Sequence, residues 1–357
     1  MTAAPDPAPI RVLLIGTGFG ATVHAPGFAG DPRFRLVGIA SGRRENAEAT
    51  AKTFGVGYAT DDWKRMLDDV DADLVSIVTP ADLHYPMARA ALERKRHVLC
   101  EKPFAMNVAQ AKELAALARA QGVVNVVNHE FRHQPARAAM TRLLAEGALG
   151  ALEHVAIADR IPGWARNPSR RLTWLTERDR GGGYLGALGS HHLDTLILWG
   201  GPIRRVFCRL RSLAATAPGA DAAHRAITSD DTFTLLVEFR SGATAIVDLF
   251  GGAHARRGRF EVFGARDALA IEGERSLIRP RADGGDEPLA IPADLDHEPT
   301  PDAALLGPFR VVVSLLAGAI REGKAASPTF ADGVEIQKAL DAARLSDRTG
   351  EWVEIEE

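Results

Sequence analysis

Gly16, Gly18 and Ala21 mark out a G-x-G-x-x-A pattern directly behind the apolar run Val12 to Ile15. In such a loop the first glycine allows a tight turn and the second lets backbone approach a pyrophosphate. A small third residue lets the next helix pack on the strand with its N-terminus toward the phosphates. Thr17, Phe19 and Gly20 complete the loop and are expected against the same dinucleotide. The pattern is weak alone and gains its weight from the strands read on either side of it. Where the second strand ends, an acid would bond the ribose 2′-hydroxyl of NAD, whereas arginine accommodates the 2′-phosphate of NADP. The chain places Ser41, Arg43 and Arg44 there, so NADP is the expected cofactor, with Glu45 leaving room for NAD. A second pattern, His129-Glu130-Phe131-Arg132-His133, spells the H-E-x-x-H of zinc sites. That motif works on a helix. Here it follows a strand and meets Pro135, so no metal is expected. Glu130, Arg132 and His133 are instead expected near a cleft, just past a strand's carboxyl end.

These residues need elements to hold them. Continuous apolar runs at 12–15, 34–40, 74–78, 97–100 and 123–127 read as buried parallel strands. Helical patterns at 45–54, 61–69, 81–94 and 108–121 lie between them. The strand at 74–78 stops at Thr79-Pro80, and that at 97–100 delivers Glu101-Lys102-Pro103. Both lie on the carboxyl edge of the sheet, where ligands bind. The first domain, a Rossmann fold, is therefore placed at 1–129.

From residue 152 the pattern alternates apolar and polar positions, at 152–158, 232–239, 243–250 and 260–263. This is the signature of antiparallel strands with one face covered. A loop at 161–180 holds Trp164 and Trp174, and three glycines lead to a helix at 188–199. Residues 280–301 read as loop, 309–322 and 333–346 as helices, and 352–355 as a last strand. The second domain, 130–357, is thus expected to be α+β with a large, mostly antiparallel, open-faced sheet. Its final helix could pack back on the first domain. The open face would be a liability if left bare, so a homodimer or homotetramer through that sheet is expected.

The chain has 357 residues and a formal charge of −3, which gives no reason to expect nucleic acid or an anionic membrane as partner. Only two cysteines occur, Cys100 and Cys208, suiting a reducing compartment. The start, MTAAPDPAPI, has no apolar h-region, and no run is long enough to span a bilayer; a cytoplasmic location is expected.

In order, the chain has the glycine loop with His24, then Thr79-Pro80-x-x-x-His84, then Glu101-Lys102-Pro103. Arg132-x-x-Pro135 follows, and Gly182-Gly183 leads to His191-x-x-Asp194. This order resembles the glucose–fructose oxidoreductase / inositol dehydrogenase / MocA family along essentially the whole length. The resemblance implies NAD or NADP in the first domain. It also implies hydride transfer between nicotinamide and a hydroxyl-bearing carbon of a sugar, polyol or related cyclic compound. Thr79, Pro80, His84, Glu101 and Lys102 would border the cofactor. Lys102 would hold the reacting oxygen and stabilise developing charge, and His191 would act as acid/base. Arg132, Trp164, Trp174, His192 and Asp194 would meet the substrate.

One departure matters. Many members place an aspartate four residues before the histidine, and this chain has Ala187 there. Two rival readings therefore stand beside the dehydrogenase. One is a transient-redox lyase or hydrolase with tightly held nicotinamide, and the other is a non-catalytic dinucleotide-binding regulator. Ala187 favours the regulator; Lys102 and His191 speak against it.

Overall fold

A computed structural model describes residues 7–356 apart from 168–170, 219–222, 298–299 and 301–302, and the side chains of Trp164 and Pro218 lie outside the description. The first sheet consists of β1 (Ile10–Ile15), β2 (Phe34–Ala40), β3 (Ala59–Thr60), β4 (Leu74–Ile77), β5 (His97–Cys100) and β6 (Asn125–Val127). All pairs are parallel, in the order β3-β2-β1-β4-β5-β6. The strand order reverses between β1 and β4, which opens a crevice at their carboxyl ends, the usual ligand position in such sheets. Val12, Leu13 and Leu14 are fully buried because helices cover both faces.

Those helices are α1 (Ala25–Ala29), α2 (Arg44–Phe54), α3 (Trp63–Asp69), α4 (His84–Glu93) and α5 (Val108–Gln121). Asp62 caps α3 by accepting from the amides of Lys64 and Arg65, and Asn107 caps α5 through Gln110. Helix α6 (Pro135–Ala145), absent from the sequence reading, opens on a proline whose missing N–H is no loss at a helix start.

The second sheet orders its strands β16-β15-β14-β13-β7-β12-β11-β8-β17. They are β7 (Leu152–Pro162), β8 (Ile203–Arg211), β11 (Thr232–Phe239), β12 (Thr244–Phe250) and β13 (Gly252–Gly264), followed by β14 (Ala268–Glu272), β15 (Ser276–Pro280), β16 (Asp286–Leu289) and β17 (Val353–Glu354). A small hairpin, β9 (Thr216–Pro218) and β10 (His224–Ala226), stands apart. Only β7 and β12 pair in parallel, so the sheet is mostly antiparallel, as the alternation indicated. The stretch 280–301, expected as loop, carries the edge strand β16. Its sequence Asp-Glu-Pro-Leu hid it, since proline is tolerated only where one side of a strand is unpaired.

Helix α7 (Ser190–Gly200) is preceded by a π-helical turn, Leu185–Gly189. Helix α8 (Leu306–Glu322) returns to the first sheet and buries Phe309 against Phe28, ring centroids 5.6 Å apart. Helix α9 (Phe330–Thr349) spans both cores. Phe330 packs on Phe104 beside the first sheet, while Ile336 and Leu340 lie under the second. Among the described residues, no helix is long and apolar enough to cross a membrane.

Candidate active site

A cleft of about 1220 Å³ opens at the carboxyl edge of the first sheet and is roofed by the loop around Trp174 and by the turn before α7. Its dinucleotide end is largely backbone. Gly16 has φ +108°, and a Cβ there would fall 2.1 Å from the carbonyl oxygen of Val78, so the crossing of β1 and β4 requires glycine. Gly18 has open space where its side chain would be, which leaves the backbone free to approach a phosphate. Gly16, Thr17, Gly18 and Phe19 line the cleft. Gly20 and Ala21 do not; Gly20 fits against Leu14 and Val78. The cradle fits a dinucleotide: open backbone at the phosphates, then Ser41, Gly42, Arg43 and Asn46 along the wall where a ribose would lie. Thr17 Oγ1 and Ser41 Oγ share a hydrogen bond of 2.7 Å that ties the two strand ends together.

Arg44, expected beside Arg43, turns away. It is exposed, and its Nε donates to Glu48 one helical turn on, at 2.9 Å. Asp61 lines this end of the cleft in its place. Sequence reading passed over it because β3, the two-residue strand that delivers it, carries too short an apolar signal.

Thr79 and Pro80 line the middle of the cleft. His84 is buried behind them and joins two loops, its Nε2 2.8 Å from the carbonyl of Thr79 and its Nδ1 2.9 Å from that of Pro103. Burial pushes its pKa down, against the pull of those carbonyls. The Lys102–Pro103 bond is cis. Glu101 is locked, with His24 at 3.1 Å and Asn128 at 2.5 Å on the same carboxylate oxygen. Burial alone would raise its pKa, but bonding to His24, the charge of Lys102 and the Asn128 amide hold it below the usual carboxylate range.

At the other end, Lys102 lines the cleft and its Nζ donates to the backbone carbonyl of Ala187 at 3.1 Å. The position where an acidic side chain was missed thus still supplies an acceptor, from its main chain. Glu130 and Phe131 line the wall beside it, on a 3₁₀ turn Glu130–His133 that follows β6. Burial first, then the negative charge of Glu101, push the Glu130 carboxyl up to about 8.

His191 is buried one ring behind this wall. It stacks on Phe131 at 3.8 Å and 6° and meets His129 edge-on at 5.2 Å. Burial, with Lys102 next, holds its pKa well below the ordinary value, so the ring is neutral. His192 points to the second sheet, Nε2 3.5 Å from Asp159 and ring 5.7 Å from Phe260. Asp194 and Arg132 are spent on each other in a buried two-point bond of 2.5 and 2.7 Å, and Arg132 also donates to Ser327. Of the residues expected at the substrate, Trp174 lines the cleft while Arg132, His192 and Asp194 do not; the side chain of Trp164 lies outside the described residues. The Trp174 loop is fastened to the first domain where Arg180 Nε donates to Asp82 at 3.2 Å. His129 precedes a 3₁₀ turn formed by the rest of the H-E-x-x-H stretch, Glu130–His133, which is not an α-helix, and among the described residues no group of three potential ligands could hold a metal.

A Rossmann sheet with a glycine cradle, opening onto a lysine and a carboxyl under a second α+β unit, defines a dinucleotide-dependent oxidoreductase. Residues 10–129 match the model of the oxidoreductase family with NAD-binding Rossmann fold, and residues 138–270 match the GFO/IDH/MocA C-terminal domain. The chain belongs to this Gfo/Idh/MocA family, and with it to the dehydrogenases and reductases acting on CH–OH groups. It is 28% identical to levoglucosan dehydrogenase of Pseudarthrobacter phenanthrenivorans, over 97% of this chain and 98% of that one. The fold is similar to that of an oxidoreductase domain protein from Kribbella flavida (TM-score 0.88, 28% identity, 98% and 100% of the two chains). It is equally similar to a levoglucosan dehydrogenase complex with NADH and levoglucosan (TM-score 0.88, 27% identity, the same shares).

Proposed function

We propose that this chain transfers hydride between a nicotinamide cofactor and a hydroxyl or carbonyl carbon of a sugar, polyol or related cyclic compound. The observation that carries the reading is Lys102, whose ammonium donates to the carbonyl of Ala187 and which lines the same cleft as the dinucleotide cradle and Trp174. Bound nicotinamide supplies the hydride chemistry. Lys102 holds the substrate oxygen and offsets negative charge as it develops. Trp174 offers a face for a ring. His191 is the proton carrier expected from the sequence, but its path to the cleft runs past Phe131. The name of the levoglucosan-binding relative supports a sugar-like substrate.

The preference for NADP now rests on Arg43 with Ser41, since Arg44 bonds Glu48. Asp61 favours a second reading, in which its carboxylate takes a ribose hydroxyl and NAD is used. A subunit contact across the second sheet is part of the proposal. Ala156, Ile246, Leu236 and Phe207 lie side by side across β7, β12, β11 and β8 as a half-buried apolar ribbon. The two cysteines are buried and unpaired, which suits a cytoplasmic location.

A screen of NAD and NADP reduction across levoglucosan, glucosides, inositols and other polyols tests the reading. Net reduction with a member of that panel is the expected result. Binding of cofactor without turnover of any of them would instead favour the regulator.

A further inference from the structure

We infer that Glu130 is a catalytic residue of this cleft, taking the proton of the substrate hydroxyl held by Lys102 and returning it in the reverse direction. The inference rests on the reading above and gives a role to a carboxyl that the sequence placed near the cleft without one. Glu130 is 1% exposed, yet it lines the cleft. Its Oε2 is buried and has no hydrogen-bond partner among the described residues. A buried polar atom left unpaired on a residue of a cleft wall is costly in the resting protein and is best accounted for by what binds there.

The other titratable groups in and near the cleft are less well placed. Glu101 is held by His24 and Asn128. Asp61 follows β3, at the opposite edge of the sheet from β6 and hence from Glu130. Among the described residues neither nitrogen of His191 has a partner, and its ring lies flat against Phe131. Lys102 enters from the end of β5, Glu130 from the end of β6, and both line one cavity.

The chemistry balances. In oxidation the C–H electron pair leaves with its hydrogen as hydride to the nicotinamide. The O–H bond breaks, its proton forms an O–H bond on the Glu130 carboxylate, and the carbon–oxygen double bond closes. In reduction the carboxylic acid gives that proton to the carbonyl oxygen. The charged groups acting on Glu130 are Glu101, Lys102 and, from α6, Arg137. With burial and Glu101 against Lys102 and Arg137, Glu130 is an acid in neutral solution, suited to reduction, and becomes a base in mildly alkaline solution, suited to oxidation.

Glu130→Gln and Glu130→Asp, made in the full chain, provide the test, with levoglucosan and NAD or NADP as probes. The expected result for Glu130→Gln is a fall in kcat of about 10²- to 10⁴-fold, with KM and cofactor affinity little changed and the mildly alkaline limb of the pH profile gone. Glu130→Asp should restore part of the rate and the limb. Turnover of Glu130→Gln close to that of wild type with the same pH profile would overturn the inference. Infrared difference spectroscopy supplies a readout that needs no turnover. A protonated-carboxyl band that titrates in mildly alkaline solution, shifts when levoglucosan is added and vanishes in Glu130→Gln supports the assignment. If the wild type oxidises none of the panel, the sugar-dehydrogenase reading fails and this band decides Glu130 separately. A wild type without the band, or a Gln variant that keeps it, overturns the assignment.

Discussion

The dinucleotide end of the cleft and its substrate end hold their polar groups in opposite ways. At the first, Thr17 bonds Ser41, His84 bridges two carbonyls and Glu101 is held by His24 and Asn128, all on a backbone shaped by Gly16. At the second, the cleft-lining Glu130 and the buried His191 have side-chain atoms with no partner among the described residues. Groups bonded to one another are held rigid and fit one ligand shape, although Asn128 Oδ1 in the first set is itself without a partner among the described residues, whereas unsatisfied buried groups are costly until a substrate completes them. On the proposed function, the contrast separates residues that build the cleft from residues that would meet the substrate. The pair Arg132–Asp194 falls on the building side despite its place in the sequence motif.

The contrast can be broken first at Lys102. Lys102→Ala should lower kcat by about 10²- to 10⁴-fold while leaving cofactor affinity near wild type, by steady-state kinetics and cofactor titration. An unchanged turnover would move the chemistry elsewhere in the cleft.

The building side should fail in stability instead. Arg132→Met leaves the Asp194 carboxylate buried and unpaired, with an expected loss of about 3–5 kcal/mol in denaturant unfolding. If stability held and only KM rose, Arg132 would belong to substrate binding after all.

Acid should find the same seam. Burial holds His129 and His133 each at about 4, below the ordinary value of 6.5. Between those values the unfolded chain binds protons that the folded chain does not. Stability is therefore fully present above about pH 6.5 and lost as pH falls toward 4, by on the order of 3 kcal/mol at most for each histidine. Glu130 works in the other direction. Its carboxyl is raised, so the folded state keeps a proton that the unfolded state has released, and this contribution is lost as pH rises toward 8. Unfolding midpoints across pH, for wild type and Glu130→Gln, should show the loss between about pH 4.5 and 8 in the wild type alone.

The smallest effect distinguishes two neighbouring arginines at the dinucleotide end. Arg43→Ala should weaken NADPH by about tenfold, the loss of one charge-assisted contact, and leave NADH unchanged. Arg44→Ala should change neither, since its guanidinium is on Glu48. Equal NADPH and NADH affinities in the wild type would pass the ribose to Asp61.

The sequence by itself determined the elements whose signal is local. Strands β2, β5 and β11 and helix α5 lie where apolar runs, alternation and helical patterning place them, because those patterns record which faces must leave water. The glycine loop was legible for the same reason, since its conformation is a property of a few adjacent residues. Ala187 as a missing contact was legible only as an absence. That its carbonyl faces Lys102 depends on a turn packed against a strand end 85 positions away in the chain. Tertiary structure alone decided which histidine stacks on Phe131 and which one meets Asp159, because adjacent helical residues lie about 100° apart and only packing says which direction is the cleft. It also withdrew Arg132 and Asp194 into a buried pair and left Glu130, already expected near the cleft, with a buried oxygen that has no partner among the described residues. A side chain's partners are set by whatever the fold brings opposite it, and the long-range pairing that does so leaves no mark on neighbouring residues.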